Sequence, residues 1–318
     1  MTAHTPALVC IGGATVDRTY RAPTPLIAGT SNPVASAPPT FGGVARNVAE
    51  NAVRLGLLTT LVSIVGNDEN GLALARDLDR LGIGRRLAVA PRHRTAEYVA
   101  VLAPSGDLAF GLADMDIFDA VTAATLDEAW PLLAAADWVF ADCNLPEATL
   151  AHLITRRRGA SFKLALDSVS TPKVKRLPQD LAGIDCLFGN RDEACALLRA
   201  VDPLSDEDLA RAVAARGPGA FVMTLGARGA LLAESSAIVR LPAASAEVAD
   251  VTGAGDALIA ATLWRLAAGE DPATALRIGI LAASLTIERN GSVRPDLSPG
   301  LLLDARRRIE SATTHEDA

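Results

Sequence analysis

Cysteine, histidine, basic charge and long apolar runs are all scarce in this chain, and each shortage excludes a class of protein. Four cysteines and four histidines in 318 residues make neither a disulfide scaffold nor a zinc site. No Cys-x-x-Cys occurs, and His4, His93, His152 and His315 are scattered. Cys10, Cys143 and Cys186 each sit in a short apolar run, where a thiol serves as a small hydrophobe. No stretch of about 18 uncharged apolar residues appears, so no spanning helix is expected. Met1 to Pro6 lacks the charged-then-apolar pattern of an export signal. With 30 Lys and Arg against 37 Asp and Glu, the net charge is −7. That removes the broad positive field that nucleic-acid binding needs and any polybasic membrane anchor. The one dense basic cluster, Arg156-Arg157-Arg158, reads as a solvated helix end. The expectation is a cytoplasmic protein acting on a small molecule, with no nucleic-acid and no membrane partner. Gly-x-x-x-x-Gly-Lys-Ser/Thr and Gly-x-Gly-x-x-Gly are absent too, so neither a Walker-type NTPase nor a standard dinucleotide site is indicated.

What the chain does have is alternation. Half its residues are hydrophobic and 21% are charged, an ordinary globular balance. The length admits two domains or one large α/β unit with an insertion. Strand-like apolar runs fall at 8–11, 59–65, 138–141, 164–166, 185–188 and 221–225. Helical periodicity occupies 44–55, 72–81, 126–135, 148–157 and 193–201. That order predicts βαβ units around a mostly parallel sheet with helices on both faces. A hairpin is expected at 231–233 and 238–241, then helices at 257–268, 272–289 and 301–309, and a frayed polar tail from Ser311. Two stretches break the pattern. Residues 18–40 contain five prolines and no amphipathic helix, and 96–113 reads as two strands joined by Pro104-Ser105-Gly106-Asp107. Both are expected in a small β insertion projecting from the main sheet.

Four segments offer chemistry. In Asp250-Val251-Thr252-Gly253-Ala254-Gly255-Asp256, ahead of an apolar helix, the glycines expose backbone amides at a helix N-terminus, which makes an anion site. Asp256 there is either a general base for a hydroxyl or a helix cap, and these residues alone leave both open. In Phe41-Gly42-Gly43-Val44-Ala45-Arg46-Asn47 the paired glycines precede a helix and would let a ligand lie on the main chain, or they form a flexible joint. Asp17, at the expected end of the first strand, is placed to accept ligand hydroxyls, as a surface-turn aspartate also would be. Asn190-Arg191-Asp192-Glu193 spaces two oxygen ligands for a Mg²⁺ shell, a spacing that a capping box shares. Thr224-Leu225-Gly226-Ala227-Arg228-Gly229 is a nucleotide-side loop or a plain hairpin.

Taken together, in this order and across essentially the whole chain, these segments resemble the PfkB or ribokinase-like family of small-molecule kinases. The resemblance implies a ribokinase-like α/β fold. Its core would comprise residues 1–17, 41–95 and 114–318, and its β lid residues 18–40 and 96–113. It implies an anion hole at Gly253, Ala254 and Gly255, with Asp256 as catalytic base. Asp17, Gly42, Gly43 and Asn47 fall on the substrate side, Asn190 and Glu193 near Mg²⁺ and phosphates, and Thr224, Gly226 and Gly229 at the ATP loop. Thr15 stands where members often carry Asn. Some members bind a monovalent cation such as K⁺, and Asp250 and Thr252 occupy the matching positions. ATP and Mg²⁺ are the implied cofactors, and a homodimer through the lid the implied assembly. Within the family, Thr30-Ser31-Asn32-Pro33, Gly43-Val44-Ala45-Arg46-Asn47, Asp114-Met115-Asp116-Ile117, Ala141-Asp142-Cys143-Asn144 and Asp167-Ser168-Val169-Ser170 are similar to pseudouridine kinases. The implied reaction is phosphorylation of a ribosyl 5′-hydroxyl, pseudouridine first and another sugar or nucleoside as the alternative. Asn32 and Asp114, beside the lid segments, are the expected readers of the base.

Overall fold

Strands buried on both faces set the architecture. The computed structural model describes residues 5–200 and 204–316, with side chains through Arg307. Ala7–Ile11 (β1), Leu58–Gly66 (β5), Trp138–Asp142 (β9), Lys163–Asp167 (β10), Cys186–Asn190 (β11) and Ala220–Thr224 (β12) are parallel neighbours in one sheet. Alternate side chains of each strand enter opposite cores. Val139 and Leu164 join Phe118, Leu126 and Phe221 on one side, while Phe140 and Ala165 join Val48, Leu74 and Leu263 on the other. Gly84–Ala90 (β6) closes one edge. The antiparallel pair Ala230–Glu234 (β13) and Ile238–Leu241 (β14) closes the other, giving the order β14-β13-β12-β11-β10-β9-β1-β5-β6.

The remaining strands form a second, five-stranded sheet. Thr15–Arg21 (β2) pairs with Ala35–Ser36 (β3), Thr40–Gly42 (β4) and Glu97–Leu102 (β7), and β7 pairs with Leu108–Asp114 (β8), which is an edge. Only three residues separate β2 from β1. Asp17 therefore lies within the small sheet rather than at the end of the first strand, because Gly12-Gly13 breaks the chain out of the main sheet.

Helices cover both faces of the large sheet: Val44–Arg54 (α1), Glu69–Leu81 (α2), Ala123–Ala134 (α3), Glu147–Arg157 (α4), Arg191–Leu198 (α5), Asp206–Ala214 (α6), Ala254–Ala267 (α7), Pro272–Ile287 (α8) and Pro299–Glu316 (α9). α9 carries the chain through much of the tail that was expected to fray, and Ala318 lies outside the described residues. So does Val201, the expected end of the helix observed as α5. α6 and β6 were not expected. α6 is short and opens on three acidic residues, although its buried Leu209, Ala210, Val213 and Ala214 keep helical spacing, and β6 opens with Gly84-Arg85-Arg86 and is mostly exposed or half-buried. Among the described residues no helix is long and apolar enough to cross a membrane.

Chain order places a crevice. From β1 the chain steps to β5 and β6 on one side, then returns to β9 and walks out through β10, β11 and β12 on the other. In parallel sheets the carboxyl ends of strands at such a reversal are where ligands bind. One wall of that crevice, α1, is pinned to α2 by a buried ionic cluster. Arg46 meets Glu50 at 2.5 Å and Asp77 at 2.7 Å, and Asp77 also binds Arg80. Arg46, Glu50 and Asp77 are all buried. Removing one member of a buried set strands the others without partners. Arg46→Ala should accordingly destabilise the fold by about 3–5 kcal/mol in urea unfolding; an unchanged midpoint would show that the cluster does not hold α1.

Candidate active site

Asp256 projects from the first turn of α7, at the carboxyl side of the sheet. The helix begins at Ala254, three residues earlier than its apolar pattern suggests, because Gly253 takes a left-handed φ of 76° and starts the turn. A side chain at Gly253 would collide with the Ser292 backbone, whereas one at Gly255 would point into open space. The bare amides of this turn therefore face a cleft at the positive end of a helix dipole. Asp256 makes no cap to the helix. Its Oδ2 instead accepts a 2.8 Å hydrogen bond from Asn47 Nδ2 of α1, which removes the capping reading left open by the residues alone.

Electrostatics sharpen the point. Burial pushes the Asp256 carboxyl up to about 7, the Asn47 hydrogen bond pulls it down, and the Asp142 charge pushes it up again. A carboxylate that titrates near neutrality inside an amide-lined cleft is suited to taking a proton from a hydroxyl.

A cavity of about 180 Å³ adjoins it, lined among others by Asp167, Val169, Asn190, Glu193, Thr224 and Asp256. Asn190 and Glu193 form a reciprocal capping box at the start of α5. Asn190 Oδ1 accepts from the Glu193 amide at 2.9 Å, and Glu193 accepts from the Asn190 amide and side chain at 2.8 Å each. Ser168 adds a 2.6 Å bond to Glu193. With both carboxylate oxygens engaged, Glu193 suits contact with a hydrated Mg²⁺ through water rather than direct ligation. Among the described residues no group of three or more His, Cys, Asp or Glu could hold a metal by itself, so most of the coordination would come from phosphate and water. The amides of Gly253 and Gly255, with Ala254 held only by a long 3.4 Å bond to Val251 O, fit the phosphates themselves. Thr224 lines the cavity, while Gly226 and Gly229 shape the tight antiparallel link from β12 to β13, closed by a 2.8 Å bond from Leu225 N to Gly229 O.

The glycine pair is a close-packing device and not a loose joint. A side chain at Gly42 would run into the Asp17 carboxylate, and one at Gly43, where φ is 94°, would approach Gly13 O to 2.5 Å. Asp17, on β2, accepts a 2.7 Å bond from the Thr15 hydroxyl. Burial raises its carboxyl, and Thr15 and Arg46 partly offset that. Thr15 thus buttresses Asp17.

Other expected residues lie elsewhere. Asn32 turns its amide into its own loop, accepting from Ile27 N at 2.9 Å and donating to Ile27 O and Thr30 O. Asp114 is exposed at the end of β8, opposite Glu97. Neither lines the cavity beside Asp256. Asp250 accepts from the amides of Thr252 (2.9 Å) and Gly291 (3.1 Å), clamping the loop ahead of α7.

Two carboxylates without an assigned role also belong here. Asp142 and Asp167 each close a buried parallel strand, and the strand-end rule is the signal that marks them. Beyond Asp167, Val169 adopts φ 64°, a strained conformation for a β-branched residue, with its amide donating to Asp167 at 2.9 Å.

The raised Asp256 carboxyl carries a stability consequence. A folded-state value above the unfolded one costs nothing while both states are protonated. The cost appears as pH rises from the ordinary carboxylate value of 3.8 through about 7. Asp256→Asn should therefore melt above the wild type at pH 8 and converge with it at acid pH, read by calorimetry. A lower melting temperature at pH 8 would show that the ionised carboxylate is a structural asset.

Comparison with known proteins bears on the family and the fold. The description "pfkB family carbohydrate kinase" matches residues 5–298. The chain is 29% identical to pseudouridine kinase of Escherichia coli over 92% of its own length and 93% of that protein. It is 32% identical to the bifunctional protein HldE of Caulobacter vibrioides over 87% of its length, spanning 57% of HldE. It is 27% identical to fructoselysine 6-kinase of Shigella flexneri, over 79% of this chain and 91% of that one. Among solved structures, a carbohydrate kinase from Agrobacterium tumefaciens superposes with a TM-score of 0.84 at 31% identity, covering 95% of this chain and 97% of that one. Ribokinase from Thermotoga maritima shares the fold at a TM-score of 0.83 and 18% identity, covering 96% of this chain and all of that one. The chain belongs to the pfkB family of carbohydrate kinases, with the ribokinase-like α/β fold, and is an ATP-dependent kinase of a small sugar or nucleoside.

Proposed function

We propose that the protein transfers the γ-phosphoryl group of ATP to a primary hydroxyl of a ribosyl substrate, with pseudouridine as the first candidate. The observation that carries the reading is Asp256, held by Asn47 beside bare helix-start amides and titrating near neutrality. The acceptor oxygen attacks the γ-phosphorus in line, its proton passes to Asp256, and the bond to the leaving ADP oxygen breaks. Amides of Gly253, Ala254 and Gly255 bear on the charge of the phosphoryl group in transit. Asn190 and Glu193 would hold Mg²⁺ through its water shell, and the ion would supply charge neutralisation there. A requirement for K⁺ would act through the loop of Asp250 and Thr252, and is read by exchanging K⁺ for Na⁺. Asp17 accepts sugar hydroxyls against the Gly42-Gly43 backbone.

The broader reading, a sugar or nucleoside kinase, has more support than its pseudouridine-specific form. Full-length similarity to a pseudouridine kinase is matched by similarity to fructoselysine 6-kinase, and no residue of the cavity beside Asp256 singles out a base. We assign the small sheet the role of a lid that closes before phosphoryl transfer and keeps water from the same phosphorus. Its edge strand β8 exposes Leu108, Phe110 and Leu112, each more than half accessible, and a second copy of the chain is the proposed cover.

Three outcomes follow. Asp256→Asn should lower kcat by about 10²–10⁴-fold, and wild-type kcat should rise with pH through about 7 as Asp256 loses its proton; near-normal turnover by the variant would remove the base. On a panel of pseudouridine, uridine, ribose and fructose, pseudouridine should give the highest kcat/KM, and a sugar far ahead of it would favour the broader reading. Phe110→Asp should convert a dimer to a monomer in sedimentation, whereas a monomeric wild type would contradict the assembly.

A further inference from the structure

One carboxylate fills the crevice between β1 and β9, and the catalytic reading leaves it without a task. Asp142 closes β9 and is fully buried. Its Oδ2 accepts from the amides of Gly13 at 2.9 Å and Ala45 at 3.0 Å, and its Oδ1 from the amide of Asn144 at 3.0 Å. Gly13 follows β1, and Ala45 lies in the first turn of α1, the helix that carries Asn47. A single side chain thus ties the strand end, the glycine turn and the helix start together. The fit is close: any side chain at Gly12, where φ is 145°, would collide with this carboxylate.

Burial raises the Asp142 carboxyl, and the amides of Gly13, Asn144 and Ala45 together with the Asn144 side chain pull it back toward the charged form. Three converging N–H donors suit a side chain that only accepts, which an ionised carboxylate does and an asparagine does not. An asparagine would set its own N–H against one of them. The charge has no direct counterion: among the described residues no Lys or Arg pairs with Asp142. The cation it feels is Lys173, whose Nζ donates to Asn144 Oδ1 and so stands one amide away. Cys10 on β1, Cys143 beside it and Asp167 on β10 are the other titratable groups around it, and each is pushed up by burial first, with the Asp142 charge adding. Asp256 faces Asn47 from α1, Asp142 from β9 and Asp167 from β10.

We propose that Asp142 is a positioning residue for Asp256: it clamps Gly13 to the start of α1, so aiming Asn47, and its buried carboxylate bears on Asp256 from behind the cleft. It touches neither reacting atom. Its effect reaches Asp256 by geometry through Asn47 and by charge, which opposes ionisation.

The proposal rests on Asp256 as the base, but its readout does not. In full-length protein carrying carboxyl-labelled aspartate, NMR titration follows Asp256, whose signal is assigned by its loss in Asp256→Asn. In Asp142→Asn the Asp256 midpoint should fall from about 7 toward the ordinary carboxylate range. The same variant should lose kcat on the order of 10²-fold, the scale of an ångström-sized misplacement. Asp142→Ser, smaller, uncharged and still an acceptor, carries the same expectation. A folded variant whose Asp256 midpoint stays in place overturns the proposal, and so does loss of folding in both variants, which would make Asp142 a structural residue. Failure of the base reading looks different: Asp256→Asn would keep its turnover while the midpoint still moved in Asp142→Asn.

Discussion

A carboxylate held at the start of a helix, partly withdrawn from water, is the constraint on which this molecule turns. The α7 amides and the Asn47 side chain favour its charged form, and a helix end contributes about 0.3–1 kcal/mol at an exposed site and up to ~2 when partly buried. One unit of pKa corresponds to about 1.4 kcal/mol. A carboxyl lifted from 3.8 to about 7 therefore means that withdrawal from water outweighs both helpers. The group is left able to gain or lose a proton near neutrality, which is what deprotonating an alcohol requires. The surrounding fold supplies the stability that this arrangement costs.

That support is concentrated where strands end. Gly12 and Gly13 leave β1, Asp142 ends β9, Asp167 ends β10, Asn190 ends β11 and Thr224 ends β12. Each position is special for a physical reason: close backbone approach at Gly43 and Gly13, three amides on one carboxylate at Asp142, a strained turn at Val169, and a reciprocal cap at Asn190 and Glu193. The small sheet joins the large one at the same place, because Gly43, just after β4, packs onto Gly13, just after β1, and the Arg46 amide of α1 bonds to Gly13 O at 3.1 Å.

Apolar rhythm made the large sheet legible, since strands buried on both sides read as unbroken hydrophobic runs and their helices keep a 3.6-residue period. β6 and α6 escaped because one is largely exposed and the other is short and acidic. The glycine turn before α7 and the pair before α1 were visible as motifs, but spacing alone could not separate base from cap at Asp256. The partner across 209 residues, Asn47, argues against the cap and supports the proposed base. At Asn190 and Glu193 the capping box is present and lines the cavity as well, so the two readings of that spacing are compatible. Asn32 was placed by its position at the lid segments, and its amide is spent on its own loop. Asp142 stood in plain view at the end of an apolar run, but its meaning depends on amides 97 and 129 residues away.

The most direct measurement is a crystal structure with the acceptor and a non-hydrolysable ATP analogue bound together. The account predicts the acceptor hydroxyl oxygen at hydrogen-bonding distance from Asp256, about 2.6–3.2 Å, in line with the γ-phosphorus over the amides of Gly253 to Gly255. An acceptor hydroxyl lying elsewhere, with Asp256 still bonded only to Asn47, would contradict it.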